Sequence, residues 1–330
     1  MNTKTACFAR HYTLVVVFIL LTALSSQAQG NYDNDYIGFS KWDIALNAGP
    51  SNFLGDVGGN KGKGTKFLKD LNMPVTNIFY GVHATYFPRE WIGLRASFNV
   101  GKLSGYDSLI KDQGGVEKDR KNRNLGFRTN VKEFYVAAEI YPTIPFENSD
   151  DGVEGVVRPY FVVGIGAMTY NPQGQYIDGN GHKTWVDLKP LRLEGQGFKE
   201  YADRKEYSNY AIQMPLGFGL KYFWDERLFF GVEILQHFTF TDYIDDVSNT
   251  YIDPALFNKY LSKDDATKAQ QLMYRRGLIN SRPVSDFVGK SRGNAKDNDY
   301  YLSILLKVGF RIGTRDSDNP YRKPIYGRYY

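Results

Sequence analysis

From Trp42 to Ala48 the chain alternates: Trp42, Ile44, Leu46 and Ala48 lie on one side of an extended backbone, Asp43, Ala45 and Asn47 on the other. That two-residue period marks a strand with one apolar and one polar face. It returns seven times. In 76–87, Ile78, Tyr80, Val82, Ala84 and Tyr86 oppose Asn77, Gly81, His83 and Thr85. In 91–102, Ile92, Leu94, Ala96, Phe98 and Val100 oppose Gly93, Arg95, Ser97, Asn99 and Gly101. In 129–141, Phe134, Val136, Ala138 and Ile140 oppose Glu133, Tyr135, Ala137 and Glu139, and in 158–170 Phe161, Val163, Ile165 and Ala167 oppose Gly164, Gly166 and Met168. Segment 208–223 sets Tyr210, Ile212, Met214, Leu216, Phe218, Leu220 and Tyr222 against Ala211, Gln213, Pro215, Gly217, Gly219 and Lys221. In 227–241, Leu228, Phe230, Val232, Ile234, Phe238 and Phe240 oppose Gly231, Glu233, His237 and Thr239. In 299–312, Tyr300, Leu302, Ile304, Leu306, Val308, Phe310 and Ile312 oppose Tyr301, Ser303, Lys307, Gly309 and Arg311. Eight strands are predicted.

Several of these runs exceed the usual soluble strand and match tilted strands crossing a hydrocarbon core of about 30 Å. The connections 50–75, 88–90, 103–128, 142–157, 171–207, 224–226 and 242–298 alternate long with shorter. Transmembrane barrels show that asymmetry, with short periplasmic turns and long extracellular loops. The expected fold is all-β, an eight-stranded antiparallel transmembrane barrel over 29–313 with both ends in the periplasm. A soluble eight-stranded barrel would carry its apolar face inward instead. Tyr80, Tyr86, Tyr210, Tyr222 and Tyr300 near the ends of the apolar faces favour the membrane, where aromatic rings gather at the interfaces.

Composition agrees. Aromatic residues make up 15% of the chain and hydrophobic ones only 42%, and past the leader no stretch approaches the 18 or so apolar residues of a membrane helix. Residues 1–28 read as a secretory signal: Lys4 and Arg10 precede an apolar run from Leu14 to Leu21, and Ser26-Gln27-Ala28 ends it before Gln29. The one cysteine, Cys7, lies inside that segment, which leaves the exported chain no thiol for a disulfide or a metal. Without Lys4 and Arg10 the formal charge falls from +5 to about +3, too little to suggest nucleic-acid binding.

Eight strands enclose a lumen that side chains can fill. Inward Glu133, Glu139 and Glu233 have Arg95, Lys221, Lys307 and Arg311 as candidate partners, with Asn47, Asn99, Gln213 and His83 as hydrogen-bonding neighbours. Unpaired charges there are expensive, so a salt-bridged plug is expected over a conducting pore. Catalytic signatures are weak. Gly59-Asn60-Lys61-Gly62-Lys63-Gly64-Thr65 lacks the ending of a phosphate loop, and His83, His182 and His237 have no zinc spacing. No enzyme activity, cofactor or metal is expected, although a Ser/His/Asp set can assemble in space without a sequence signature.

Asp242-Tyr243-Ile244-Asp245-Asp246-Val247-Ser248 clusters three carboxylates after the seventh strand. Hard cations favour such groups, but the spacing is not that of a calcium-binding helical hairpin, and bonding of loop backbone by Asp and Ser is the expected role. Asp253-Pro254 and Ser262-Lys263-Asp264-Asp265 read as helix starts. The second loop carries Lys111, Lys118, Arg120, Lys121, Arg123 and Arg128, either a solvated basic loop or a surface for lipopolysaccharide phosphates.

Asn122-Arg123-Asn124-Leu125-Gly126-Phe127-Arg128-Thr129-Asn130 leading to Glu133-Phe134 and Glu139, then Phe240-Thr241-Asp242-Tyr243-Ile244-Asp245-Asp246-Val247-Ser248-Asn249-Thr250-Tyr251, then Arg292-Gly293-Asn294 before Asp297-Asn298-Asp299-Tyr300, are similar to the hallmarks of a Bacteroidota outer-membrane barrel family that includes PorG, a type IX secretion system component. The resemblance spans about residues 42–313. It implies a non-enzymatic barrel anchoring a periplasmic secretion or gliding assembly, with outer-membrane lipid, lipopolysaccharide and secretion-ring proteins as partners. The competing classes are a small pore and a barrel-embedded enzyme acting on lipids or peptides. The tail 314–330 mixes Arg315, Arg322, Lys323 and Arg328 with Tyr321, Tyr326, Tyr329 and Tyr330, a composition that interfaces favour. It is expected to form the periplasmic docking surface together with the 142–157 turn.

Overall fold

The protein is described by a computed structural model covering residues 42–58, 75–110, 115–146, 155–225, 227–278 and 283–312. The leader, the glycine-lysine stretch 59–65, Lys111 and the whole tail from Arg315 to Tyr330 lie outside the described residues. Ten strands form in chain order: β1 Trp42–Leu54, β2 Asn77–Arg89, β3 Ile92–Tyr106, β4 Gly126–Ile140, β5 Val157–Thr169, β6 Pro172–Ile177, β7 Lys183–Asp187, β8 Tyr210–Phe223, β9 Leu228–Thr239 and β10 Tyr300–Ile312. Eight of them are the predicted ones. They pair antiparallel in the order β3-β2-β1-β10-β9-β8-β5-β4, and β4 pairs with β3 to close the ring. A closed ladder leaves no edge, so every strand's backbone is satisfied within the wall, as a hydrocarbon surrounding requires.

The walls face the predicted way. Leu46, Ile78, Leu94, Phe134, Phe218 and Leu306 point outward and are exposed, while Asp43, His83, Arg95, Glu133, Glu139, Lys221, Glu233 and Lys307 are buried inside. An apolar exterior around a polar interior is the reverse of a soluble barrel, and it places this fold in the outer membrane. Aromatic rings mark the interface at the short-turn end, where Trp42 lies 5.0 Å from Tyr86 and Trp224 stands between Tyr222 and Phe230.

Two features depart from the alternation. Toward the long loops the wall becomes buried on both faces, from Ser51 to Leu54 and from Tyr301 to Ser303. Leu302, expected to face lipid, is therefore only 4% exposed. The stretch 171–207, expected as a loop, instead raises the hairpin β6–β7, which extends the sheet from β4. Its strands are too short to show a period, but its turn chemistry is local. Asp178 Oδ1 accepts the amides of Asn180 and His182 at 2.9 and 2.8 Å, and Gly181 takes a φ of +82°, a conformation glycine adopts freely.

Among the described residues three α-helices join the loops: α1 Gly115–Arg123, α2 Ala255–Tyr260 and α3 Lys263–Met273. The expected helix starts are present, with Asp253 Oδ1 accepting the Ala255 amide at 2.9 Å and Ser262 Oγ accepting the Asp265 amide at 3.2 Å. Helix α1 was not foreseen; its exit residue Asn124 takes a φ of +58°, the left-handed stop that asparagine tolerates. Helices α2 and α3 fold with 188–201 and Ile252 into a second apolar core built from Leu191, Leu193, Phe198, Phe257, Leu272 and Met273. The long loops are thus a small packed cap.

Leu216→Arg, on the lipid face, should destabilise the barrel by about 2–4 kcal/mol near the bilayer midplane, whereas Leu216→Ile should be close to neutral; urea unfolding in lipid vesicles measures both. Gly217 cannot serve as the lumen control, because a Cβ there would meet Ile234 O at 2.0 Å. A Leu216→Arg protein as stable as the parent would reverse the assignment of the two faces.

Candidate functional site

The lumen is filled in layers. Nearest the short turns, Lys221 Nζ meets Asp43 Oδ2 at 2.8 Å and Glu139 Oε2 at 3.7 Å. Arg95 bridges Glu139 Oε1 at 2.6 Å and Glu233 Oε2 at 2.8 Å, and Lys307 joins Glu233 at 2.6 Å. Thr85 donates to Glu139 at 2.7 Å and Tyr160 to Glu233 at 2.9 Å. One bonded network therefore takes a side chain from each of the eight barrel strands. Arg311 lies at its edge, 4.0 Å from Asp43 Oδ1 and over the Phe223 ring. Asp43 belongs to the network although its strand's pattern singled it out only as polar.

Bulky rings share this layer because the facing wall is reduced to glycine. A Cβ at Gly219 would meet the Tyr160 ring at 2.4 Å, and one at Gly309 the Phe229 ring at 2.2 Å. Alternating large and small inward residues is how a narrow barrel fills its taper.

Glu133 differs from the other carboxylates. No lysine or arginine pairs with it among the described residues. Asn99 Nδ2 and Gln213 Nε2 donate to it at 2.7 and 2.8 Å, the Tyr301 hydroxyl also donates, and His237 Nδ1 stands 3.5 Å away. Its expected cations are lower in the barrel, spent on Asp43, Glu139 and Glu233. The other ring nitrogen, His237 Nε2, lies 3.1 Å from Ser303 Oγ. Ser303, His237 and Glu133 thus stand in the order nucleophile, base and orienting acid. Gln213 Oε1, an acceptor 3.0 Å from Nδ1, favours the proton on Nδ1 and leaves Nε2 to accept from the serine. All three residues are at most 1% exposed, and an apolar layer of Phe53, Phe79, Leu103, Phe127 and Met168 lies against them on the loop side. A hydrolytic site needs room beside the serine for a carbonyl and for donors to its oxyanion. Sequence periodicity could not bring these three together, since they lie on β4, β9 and β10.

Above the apolar layer sits the loop motif. Ile244 and Val247 are buried with Phe53, Phe127 and Tyr301 and stopper the barrel mouth. Around them the acids bind backbone: Asp245 accepts the Val57 and Val247 amides, each at 2.9 Å, and Asp299 accepts that of Ile244 at 2.9 Å. Asp246, held at a φ of +61°, accepts from Tyr207 at 2.7 Å, and Tyr243 stacks on Tyr207 with ring centroids 4.5 Å apart. Ser248 gives its amide to Glu194, whose other oxygen takes that of Asn249, and Arg292 meets Glu194 at 2.9 Å.

Two of the loop-two cations close this collar from beneath. Arg123 chelates Asp107 at 2.7 and 2.9 Å and reaches the Asp56 carbonyl, which Arg120 also meets at 2.9 Å. Arg128 lies over the Trp185 ring at 4.2 Å. Arg120 and Arg123 are therefore internal ties of the cap and not part of an outer basic surface. Lys118 is exposed on α1 and Lys121 half-buried.

No protein-family model matches this chain, and no curated protein sequence matches it. Among solved structures, it is similar to Neisserial surface protein A at 8% identity and a TM-score of 0.35, covering 82% of this chain and 97% of that one. It is similar as well to Ail of Yersinia pestis in complex with the heparin analogue sucrose octasulfate, at 10% and 0.33 over 82% and 97%, and to OprG of Pseudomonas aeruginosa, at 10% and 0.32 over 83% and 98%. At these scores the likenesses add nothing to a fold that its own closed ladder establishes.

Among the described residues no group of three or more His, Cys, Asp or Glu side chains is arranged to hold a metal ion. The collar instead holds protons. Burial pushes the Asp242 carboxyl up to about 9, with Asp245 and Asp56 adding to the rise against the Ser248 hydroxyl. Burial likewise raises Asp246 to about 7 against the pull of Arg292, and carries Asp245 and Asp299 well above the usual carboxylate range.

A carboxyl that is 3.8 when unfolded and about 9 when folded binds more protons in the folded state between those values, so its contribution to stability falls as pH rises through that window. The cap should be cut by a protease faster at pH 9.5 than at pH 6, and Asp242→Asn should flatten the difference. Equal cleavage of the parent at both pH values would show that the collar is not a proton-dependent tie.

Proposed function

We propose that this chain is a sealed, non-enzymatic outer-membrane barrel that anchors a periplasmic secretion or gliding assembly of the type IX kind, with both ends in the periplasm and the capped mouth outside the cell. The observation that carries the sealed reading is the lumen network from Asp43 through Lys221, Glu139, Arg95 and Glu233 to Lys307. It leaves ions no path of mobile water, and the Ile244 and Val247 stopper lies in series with it. A barrel that neither conducts nor turns over substrate serves through what it fixes in place. The resemblance of the 122–139, 240–251 and 292–300 segments to the family that includes PorG supports the secretion role. The tail residues Arg315, Tyr321, Arg322, Tyr326, Arg328 and Tyr330 supply the aromatic and arginine chemistry of a docking surface.

Purified protein in a planar bilayer should give no stable single-channel current. Glu233→Ala, which strips Lys307 of its carboxylate, should cost about 3–5 kcal/mol of stability. Steady currents from the parent would replace the anchor with a pore. Deleting residues 314–330 should leave insertion intact and abolish co-purification of periplasmic partners and cargo secretion; a truncated protein that keeps both removes the tail from the docking surface.

A second reading rests on the Ser303–His237–Glu133 geometry, which suits a barrel-embedded hydrolase. A fluorophosphonate probe should leave Ser303 unlabelled in the folded protein, because its side chain is buried. Labelling that is lost in His237→Ala would make this an enzyme.

A further inference from the structure

The rim of the apolar belt on the long-loop side is chemically lopsided. Along β8, β9 and β10 the belt ends in rings, with Tyr210 and Phe240 exposed and Tyr300 half-buried. Along β3 and β4 it ends in lysines. Outward residues run Phe98, Val100, Lys102 on β3 and Phe134, Lys132 on β4, and both lysines are exposed. Lys132 is opposite Val100 and Lys102 opposite Asn130, so the two lysines are diagonal neighbours on one face, about 7–8 Å apart at their backbones. They flank the last apolar residues of the belt, and Asn130 completes a polar patch beside them.

Neither lysine is in an ion pair among the described residues. The barrel strands carry one other exposed cation among those residues, Arg89, at the opposite end of β2. An unpaired charge on a lipid-facing wall costs energy unless its head reaches the interface and finds a counter-charge there. The loop-two arginines cannot supply the same service, since Arg120 and Arg123 are turned into the collar.

We infer that Lys102 and Lys132 form a clamp for the phosphate groups of an anionic lipid in the outer leaflet, lipid A being the probe of choice. Two ammonium groups diagonal across a strand pair fit a phosphate at headgroup depth while the Phe98, Val100 and Phe134 side chains below them hold acyl chains. The inference rests on the reading that the long loops face outward.

The test uses full-length protein in detergent, with bis-phosphorylated lipid A and its dephosphorylated form as probes and binding followed by native mass spectrometry. The parent should prefer the phosphorylated lipid, and Lys102→Ala/Lys132→Ala should lower affinity for it about 30-fold, two lysines near an anionic surface acting together. Affinity for the dephosphorylated lipid should not change. Lys118→Ala, at an exposed position of α1, should behave as the parent. Equal binding of both lipids by the parent, or an undiminished preference in the Lys102/Lys132 double variant, overturns the clamp. Orientation is read separately: Asn180→Cys at the tip of the β6–β7 turn, in a Cys7→Ala background, should react with an impermeant maleimide on intact cells. If the label fails, the outward reading falls and the clamp with it; if it succeeds while the lipid preference is missing, only the clamp falls.

Discussion

Everything in this barrel is arranged around the cost of leaving a charge unpaired among the buried side chains of the lumen. Arg95 is the hub. Its guanidinium reaches Glu139 on the neighbouring strand β4 and Glu233 across the lumen on β9, and each of these passes the contact on to a lysine, Lys221 or Lys307. Removing one member of such a chain leaves its partner both buried and alone, which is far more destabilising than never having had the pair. The interaction therefore binds the strand register: slipping β9 or β10 by one residue would turn Glu233 or Lys307 to lipid and strand the rest.

The same constraint reappears at the mouth with a different solution. Asp242, Asp245 and Asp299 exceed the arginines within reach, so the collar meets the cost with backbone amides and with protons. The amides belong to loops that start far apart in the chain: Asp245 ties Val57, and Glu194 ties Ser248 and Asn249. The acids are thus the stitches of the cap, and Ile244 and Val247 are what they hold in place.

The two surfaces of the wall answer to different solvents. Inside, the charged side chains are paired or bonded, while Asn47 Oδ1 and His83 Nδ1 are buried without a hydrogen-bond partner among the described residues; outside, belt residues meet lipid tails, and Lys102 and Lys132 are exposed at the long-loop rim of the belt. The cap adds a third environment, a packed core of its own over the barrel, which makes the loop side a built surface as opposed to a set of separate connections.

The amino-acid sequence alone determined the eight barrel strands, their inward and outward faces and the alternation of short with long connections, because a period of two follows directly from backbone geometry and the solvent on each side. It also placed Arg95, Glu139, Lys221, Glu233 and Lys307 in one enclosed space. It did not decide who pairs with whom. Glu133 received amides, a phenol and His237 in place of a cation, and Arg120 and Arg123 turned inward, because pairing depends on height along tilted strands and on how loops return over the mouth. The approach of Ser303, His237 and Glu133 was hidden for the same reason, since it is made by contacts between residues remote in the chain. The β6–β7 hairpin and helix α1 are local, but they are too short to show a period.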